Sequence, residues 1–367
     1  PGLTATEIHV AVIADTPDPI AGVNTWAAIV NGRKGGLGGR KVVVDAFTVN
    51  GDAAKYAAAV TTACTQDFAI VGSSSVADGA TTDLVACAIP DLPARAFTAA
   101  HRGAAGTYAV VPTSPTKEQV GGFKFLLGAV QGCCKQYVVK STDAGQAIAT
   151  ESSMQAAVTA GFTTAGSTAL ATDAPDSAYT GVATSMQTSG ATFGRSDLPF
   201  DSTITLRTAG ASLTGVKAWF CLAQCYSPTF LSQGGPAVAS EYVQIGTNPF
   251  EEAAAIPALK TYLAHSGPQT EPAVESYAAS LLFDQATRQV LAQVGKDGLT
   301  RALVLGKVAA TNGFTAGNIL GPTNVGGRVP TGCFVMMQVT NGKFTRVSPT
   351  TAKTLSCGDQ NLVTVGP

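Results

Sequence analysis

Apolar and polar positions change period repeatedly along this chain. Glu7 to Ala14 is an apolar run rich in β-branched residues and predicts a strand. Asp15-Thr16-Pro17-Asp18-Pro19 then predicts a turn, because two prolines oppose regular structure. From Gly22 to Asn31, Val23, Trp26, Ala27 and Val30 share one face of a predicted helix. The tight loop Gly35-Gly36-Leu37-Gly38-Gly39-Arg40 leads into a strand over Lys41 to Phe47. Gly51-Asp52 opens a helix through Ala63, with Asp52 as its N-cap, and Phe68 to Gly72 is the next strand. This β-α-β-α-β alternation is the pattern of a parallel sheet with helices on both faces.

The alternation resumes after Pro115, with a helix over Thr116 to Val130, a strand over Gln136 to Lys140 and a helix over Ala147 to Ala160. A Gly/Ser/Thr/Asp-rich passage, Gly166 to Ser177, follows. Next come a helix near Tyr179 to Thr188 and strands at Ala191 to Phe193, Val216 to Cys221 and Tyr242 to Gly246. Glu271 to Val294 is the longest periodic segment, and Thr300 to Ala309 predicts a shorter helix. Near the end, Gly332 to Val339 and Lys343 to Val347 flank Asn341-Gly342, a strong two-residue hairpin signal.

Two strand ends carry the first chemical hint. Val71-Gly72-Ser73-Ser74-Ser75 runs from an apolar strand into glycine and serines. Ile89-Pro90-Asp91-Leu92-Pro93 followed by Ala96-Phe97-Thr98-Ala99-Ala100 repeats the design. Ligands of open parallel sheets settle beyond the carboxyl ends of strands, so these two ends predict a wall for the polar end of a small molecule.

Composition narrows the function. The 367 residues suit two domains, and with 45% hydrophobic and 13% charged residues the profile is globular. A net charge of −1 supplies no basic field for nucleic acid. No apolar stretch reaches the roughly 18–20 residues that span a bilayer. The start, Pro1 to Glu7, lacks an initiating Met and reads as processed, with any signal segment already removed.

The eight cysteines, Cys64, Cys87, Cys133, Cys134, Cys221, Cys225, Cys333 and Cys357, favour local disulfides and an oxidising compartment. The pairs expected are Cys64–Cys87, Cys333–Cys357 and Cys221–Cys225, although spacing alone leaves the connectivity open. Cys133 and Cys134 are either a vicinal disulfide or two thiols. The C-x3-C spacing and the distant His9, His101 and His265 argue against a zinc site, and no metal or cofactor is expected. Catalysis is not expected either. There is no G-x-S-x-G elbow, H-E-x-x-H, Walker loop or G-x-G-x-x-G after a strand, and Gly35 to Gly39 precedes a strand rather than a helix.

Several stretches together resemble the type I periplasmic-binding fold, in its branched-chain amino acid-binding group of ABC-transporter substrate receptors. Gly35 to Val42 is similar to that family's glycine-rich turn, and Gly51 to Lys55 to its helix start after the second strand. Val71 to Ser75 and Phe97 to Ala100 resemble its two ligand-contacting strand ends. Glu271 to Ala279 is similar to the start of its long helix, and Gly326-Gly327-Arg328-Val329 to its return to the second lobe. The order and spacing of these stretches, rather than any one of them, carry the resemblance.

The resemblance implies an α/β architecture of two Rossmann-like lobes with parallel sheets. Three hinge crossings, near Thr113–Pro115, Gly246–Pro249 and Arg328–Thr331, would join them around a ligand cleft. Lobe 1 would be residues 1–114 and 249–328, and lobe 2 residues 115–248 and 329–367. A disulfide at Cys64–Cys87 is common in that group. The function implied is an extracytoplasmic solute-binding receptor, periplasmic or on the cell surface, with or without a lipid anchor. It would deliver a carboxylate-bearing small molecule to the membrane permease of an ABC importer. The alternative is a sensor on the same fold that reports to a regulator, although the cysteines favour the exported receptor.

The resemblance also implies site residues. Ser74, Ser75 and Thr98, with the backbone of Ala99 and Ala100, would hold a carboxylate head through charge-assisted hydrogen bonds; capping of the local loops is the bland alternative. Val23 stands where an aromatic wall is usual. Trp26 could replace that wall, but its spacing favours the core. In the second lobe Asp143 would meet an ammonium or cap the following helix, and Ala144 stands where the family has a ring. Arg195 would meet a second carboxylate or be a solvated loop residue. Tyr226 would offer a ring and a hydroxyl where the family often has an acid, with Asn248 and Phe250 as weaker candidates. Without the usual ammonium partners the ligand need not be a plain branched-chain amino acid, and a small carboxylate, an aromatic acid or an amide would each fit.

Overall fold

The computed structural model describes residues 1–142, 144–171 and 173–366, leaving aside the side chains of 144–148. The chain forms two compact units, Pro1–Pro115 with Ala253–Thr331, and Thr116–Glu252 with Gly332–Pro367. These divisions differ by one to four residues from those expected at 114/115, 248/249 and 328/329.

The first segment contains β1 (Glu7–Ala14), α1 (Pro17–Asn31), β2 (Lys41–Thr48), α2 (Ala53–Gln66), β3 (Ala69–Val71), α3 (Thr82–Ala86), β4 (Asp91–Leu92) and α4 (Ala99–Gly103). The second contains β5 (Lys117–Gln119), α5 (Gly121–Ala129), β6 (Lys135–Ser141), α6 (Ala144–Ala160), β7 (Thr163–Leu170), α7 (Asp176–Thr188), β8 (Phe193–Asp197), α8 (Phe200–Ala209), β9 (Ala218–Cys221), α9 (Pro228–Gly234) and β10 (Glu241–Ile245). The chain then adds α10 (Pro257–Ala264), α11 (Glu271–Val294) and α12 (Arg301–Ala309) to the first unit, and β11 (Val335–Thr340), β12 (Lys343–Ser348) and β13 (Leu362–Thr364) to the second.

The first unit's sheet is fully parallel, in the order β2-β1-β3-β4. The order reverses between β1 and β3, so the carboxyl ends of those two strands flank the switch point where ligands of open α/β sheets settle. β1 is buried over most of its length, as a central parallel strand covered on both faces must be. Helix α11 packs beside α1 at very short range. A Cβ on Gly22 would lie 2.0 Å from the Ala273 carbonyl oxygen. Gly72, at φ +70°, is both left-handed and crowded, since its added Cβ would lie 2.5 Å from Val23 and 3.0 Å from the Ser276 carbonyl oxygen.

The second unit's sheet runs β12-β11-β10-β9-β8-β6-β7. Strands β6 to β10 are parallel, and the β11–β12 hairpin adds antiparallel to β10. Asn341 and Gly342 join that hairpin with φ of 52° and 71°, the double positive-φ turn that Asn-Gly favours. Its core includes Phe123, Phe162, Phe193 and Phe220, all within 3% exposure. A short antiparallel pair, β5 with β13, completes the unit.

Three local expectations change. Helix α1 begins at Pro17, five residues before Gly22, because proline at the first helical position loses only an N–H that has no partner there. The expected helix over Thr116 to Val130 is divided into β5 and a shorter α5, with Lys117 to Gln119 spent on pairing with β13. The polar passage from Gly166 contains much of β7, an edge strand whose solvent face accounts for its Ser and Thr. Asp52 does cap α2, accepting from the N–H groups of Ala54 and Lys55.

All eight cysteines are paired, as Cys64–Cys87, Cys133–Cys134, Cys221–Cys225 and Cys333–Cys357. Among the described residues no helix is long and apolar enough to cross a membrane.

Candidate functional site

The strand ends beyond β3 and β4 lie side by side. The Ala94 N–H donates to the Ser73 carbonyl at 2.9 Å, and the Gly72 N–H to the Leu92 carbonyl at 2.8 Å. Ser74 bridges to Ala14, the last residue of β1, so it stands at the switch point itself. Its N–H donates to the Ile13 carbonyl and its carbonyl accepts from the Asp15 N–H. The Ser74 hydroxyl is partly exposed and has no hydrogen-bond partner among the described residues.

Two polar hubs shape this edge, the second of them fully buried, and neither was anticipated from sequence. Asp15 is the first. Its carboxylate accepts from the Ser75 hydroxyl at 2.8 Å, the Gly51 N–H at 2.7 Å and the Val76 N–H at 2.8 Å. One side chain thus ties together the loops that follow β1, β2 and β3. Ser75, 2% exposed, is consumed by that task and by accepting from the Ala77 N–H.

His101 with Asp78 and Asp91 is the second hub. The imidazole is 1% exposed and bridges Asp78 at 2.8 Å through Nδ1 and Asp91 at 2.6 Å through Nε2. Burial works against the imidazolium, but the charges and hydrogen bonds of Asp91 and Asp78 outweigh it and push the His101 pKa up to about 10. Burial likewise opposes the Asp78 anion, and the bonds from His101 and the Phe97 N–H overcome it, leaving its carboxyl below the ordinary value. Asp78 also accepts from the N–H groups of Phe97 at 2.6 Å and Thr98 at 2.9 Å. The Thr98 hydroxyl oxygen caps α4 by accepting from the His101 N–H.

Thr98 therefore has the local capping role, and the head-group chemistry at this edge shifts toward Ser74 and the main chain. The N–H groups of Ala99 and Ala100 fall in the first turn of α4, where a helix offers them no internal acceptor, and both residues are exposed. Phe97 and Val76, at 40% and 39% exposure, place apolar surface beside them. Val23 is fully buried against Gly72, and Trp26 is buried edge-on to Phe283, so neither forms an exposed wall. Arg95 adds a partly exposed cation next to Ala96, bonded through two nitrogens to Glu275 at 2.8 and 2.6 Å.

In the second unit the expected residues are spread among different tasks. Asp143 lies outside the described residues, and Ala144 begins α6 with its side chain likewise outside them. Arg195 is on β8 with no exposure, paired through two nitrogens with Asp197 at 2.8 and 2.5 Å. Its guanidinium lies 5.4 Å from the Phe123 ring centre. It is a core arginine, not a solvated loop residue, because β8 continues to Asp197, four residues beyond the apolar segment that announced it. Tyr226 is 2% exposed, stacks on Phe250 at 5.5 Å, donates to Glu251 at 2.5 Å and accepts from the Phe250 N–H at 2.7 Å. Asn248 accepts from Arg346, which also binds Glu252.

Comparison with known proteins follows the fold. No family model and no curated protein sequence matches the chain. Solved structures do match over nearly its full length. A fatty acid ABC-transporter substrate-binding protein from Thermomonospora curvata aligns with a TM-score of 0.76 at 17% identity, covering 95% of this chain and 92% of its own. A solute-binding protein from Rhodopseudomonas palustris in complex with 4-hydroxybenzoate gives 0.73 at 16%, covering 93% and 95%. A leucine-binding protein from Thermotoga maritima gives 0.72 at 15%, covering 93% and 98%. The chain has the fold of these ABC-transporter substrate-binding proteins, the type I periplasmic-binding fold.

Proposed function

We propose that this chain is an extracytoplasmic solute-binding receptor of an ABC importer. Its ligand would be a small carboxylate-bearing molecule, an amino acid or an aromatic acid, and its partner a membrane permease. The observation that carries the reading is the edge of the first unit's sheet at its switch point. There Ser74 presents an uncommitted hydroxyl and α4 presents two main-chain N–H groups. Neutral donors on a rigid frame suit a carboxylate, because each bond to the anion is charge-assisted. Asp15 and the His101 hub hold that frame in place before any ligand arrives, which limits the ordering cost of binding. The exposed Phe97 ring suits an apolar or aromatic remainder. Full-length similarity in fold to binding proteins, together with the absence of a sequence motif for catalysis, supports binding rather than turnover.

The test is a thermal-shift screen against amino acids, 4-hydroxybenzoate and other aromatic acids, and short and long carboxylates. A ligand at about 100 times its dissociation constant adds about 2.7 kcal/mol to stability and raises the unfolding midpoint. Ser74→Ala should then weaken binding by about 1 kcal/mol or more, the loss expected for one hydrogen bond to a charged group, with folding unchanged. Turnover of any compound, or no response across these classes, overturns the reading.

A further inference from the structure

A second polar cluster lies in the first unit, away from the strand ends just described. His9 and Asp45 face the same side of the β1–β2 pair, where Val43 stands opposite His9 and Asp45 opposite Ala11. His9 Nδ1 is 2.9 Å from Asp45 Oδ2. Asp67 ends α2 and is brought alongside when the next residue, Phe68, donates its N–H to the His9 carbonyl at 2.9 Å. One ligand atom from each of His9, Asp45 and Asp67 lies within 4.8 Å of the other two.

We propose that His9, Asp45 and Asp67 form a binding site for a single divalent transition-metal cation of the Zn2+ class. The independent pointer is Asp67. It has no solvent exposure, and neither carboxylate oxygen has a hydrogen-bond partner among the described residues. An ionised carboxylate in that setting is costly unless a cation meets it. Burial and the adjacent Asp45 carboxylate oppose the Asp67 charge, and Arg301 offsets them only in part and from a distance, because its N–H groups are spent on the main-chain carbonyls of Cys64, Asp67, Phe68 and Cys87.

The donor set favours this class of metal. One imidazole nitrogen with carboxylate oxygens suits Zn2+ and its first-row neighbours, whereas Ca2+ and Mg2+ prefer oxygen alone. Bonds of about 2.0–2.2 Å in a tetrahedron place ligand atoms about 3.3 Å apart, so the observed spacing closes on an ion with small side-chain shifts. His9 and Asp45 are partly exposed, leaving room for a water as the fourth ligand. Glu7 lies 3.6 Å from His9 Nε2, placed to orient the ring from behind as an outer-shell partner.

The experiment uses the full chain, stripped with a chelator and titrated with Zn2+ chloride by calorimetry at neutral pH. One Zn2+ per chain is expected. His9→Gln and Asp67→Asn should each weaken it by more than about tenfold, since even the loss of an outer-shell partner costs about 10- to 100-fold. His265→Gln, which removes an exposed histidine elsewhere, should leave it unchanged. Asp67→Asn replaces a buried carboxylate with a neutral group of the same shape, so the metal-free fold is retained. Nitrogen NMR of the wild-type histidine rings gives a readout free of mutation, with the His9 signals shifting on Zn2+ addition. No stoichiometric binding, unmoved His9 signals, or affinity that follows His265 instead overturns the proposal. A proton shared between Asp45 and Asp67 would then be the cluster's resting arrangement.

Discussion

His101 shows how one side chain can govern a surface without being on it. It is buried between two aspartates, beneath the turn that carries Phe97 and Thr98. Replacing it with Gln removes the cation and leaves Asp78 and Asp91 uncompensated, an arrangement that costs about 3–5 kcal/mol. Urea unfolding of His101→Gln should show that loss at pH 7. The pH dependence has a definite sign. The folded-state pKa, about 10, lies above the ordinary 6.5, so the folded chain holds this proton more tightly. The stabilisation is complete below about 6.5 and is lost as pH rises from there through about 10, and the wild-type midpoint should fall over that window more than that of His101→Gln. The sequence could suggest the two serine- and threonine-tipped strand ends, because small polar residues after an apolar run are a local signal. It could not separate Ser74 from Ser75 or tie the Phe97–Thr98 turn to a buried carboxylate, because those roles depend on Asp15 and Asp78 arriving from elsewhere in the chain.

At the scale of elements, α1 and α11 of the first unit approach each other very closely where Gly22 meets Ala273. Gly22→Ala places a methyl 2.0 Å from a carbonyl oxygen, and backbone cannot yield as a flexible side chain can. A loss of about 1–3 kcal/mol or more is expected from such overpacking, read as a lower denaturation midpoint with little change in helix content. Both helices were legible as periodic segments, but their contact was not, since about 250 residues of sequence separate the partners and the pattern shows only that each has an apolar face. The sequence placed the start of α1 too late by treating Pro17 and Pro19 as breakers, whereas position within the first turn makes both acceptable. The short pair β5–β13 was illegible for a related reason, because three polar residues become a strand only when a partner from the far end of the chain lies beside them.

For the whole molecule, each of the four disulfides closes within one unit, so oxidation stabilises the units separately. Cys64–Cys87 spans 23 residues and links α2 to the end of α3 in the first unit. Removing it in the double variant Cys64→Ser/Cys87→Ser should lower stability by about 3 kcal/mol through a freer unfolded chain. The first unit should show that loss in hydrogen exchange, with the second unaffected. Block-wise alternation of period, a short-range pattern, was enough to determine the α/β class, and the length of 367 residues was enough for the expectation of two units. Which strand neighbours which, where each sheet reverses order, and how the strand-end hydroxyls are spent were decided only in the tertiary structure. Burial and hydrogen-bond partners are properties of space: Arg195 became a core ion pair, Tyr226 a buried hydroxyl held by Glu251, and three residues far apart in sequence, His9, Asp45 and Asp67, became one cluster.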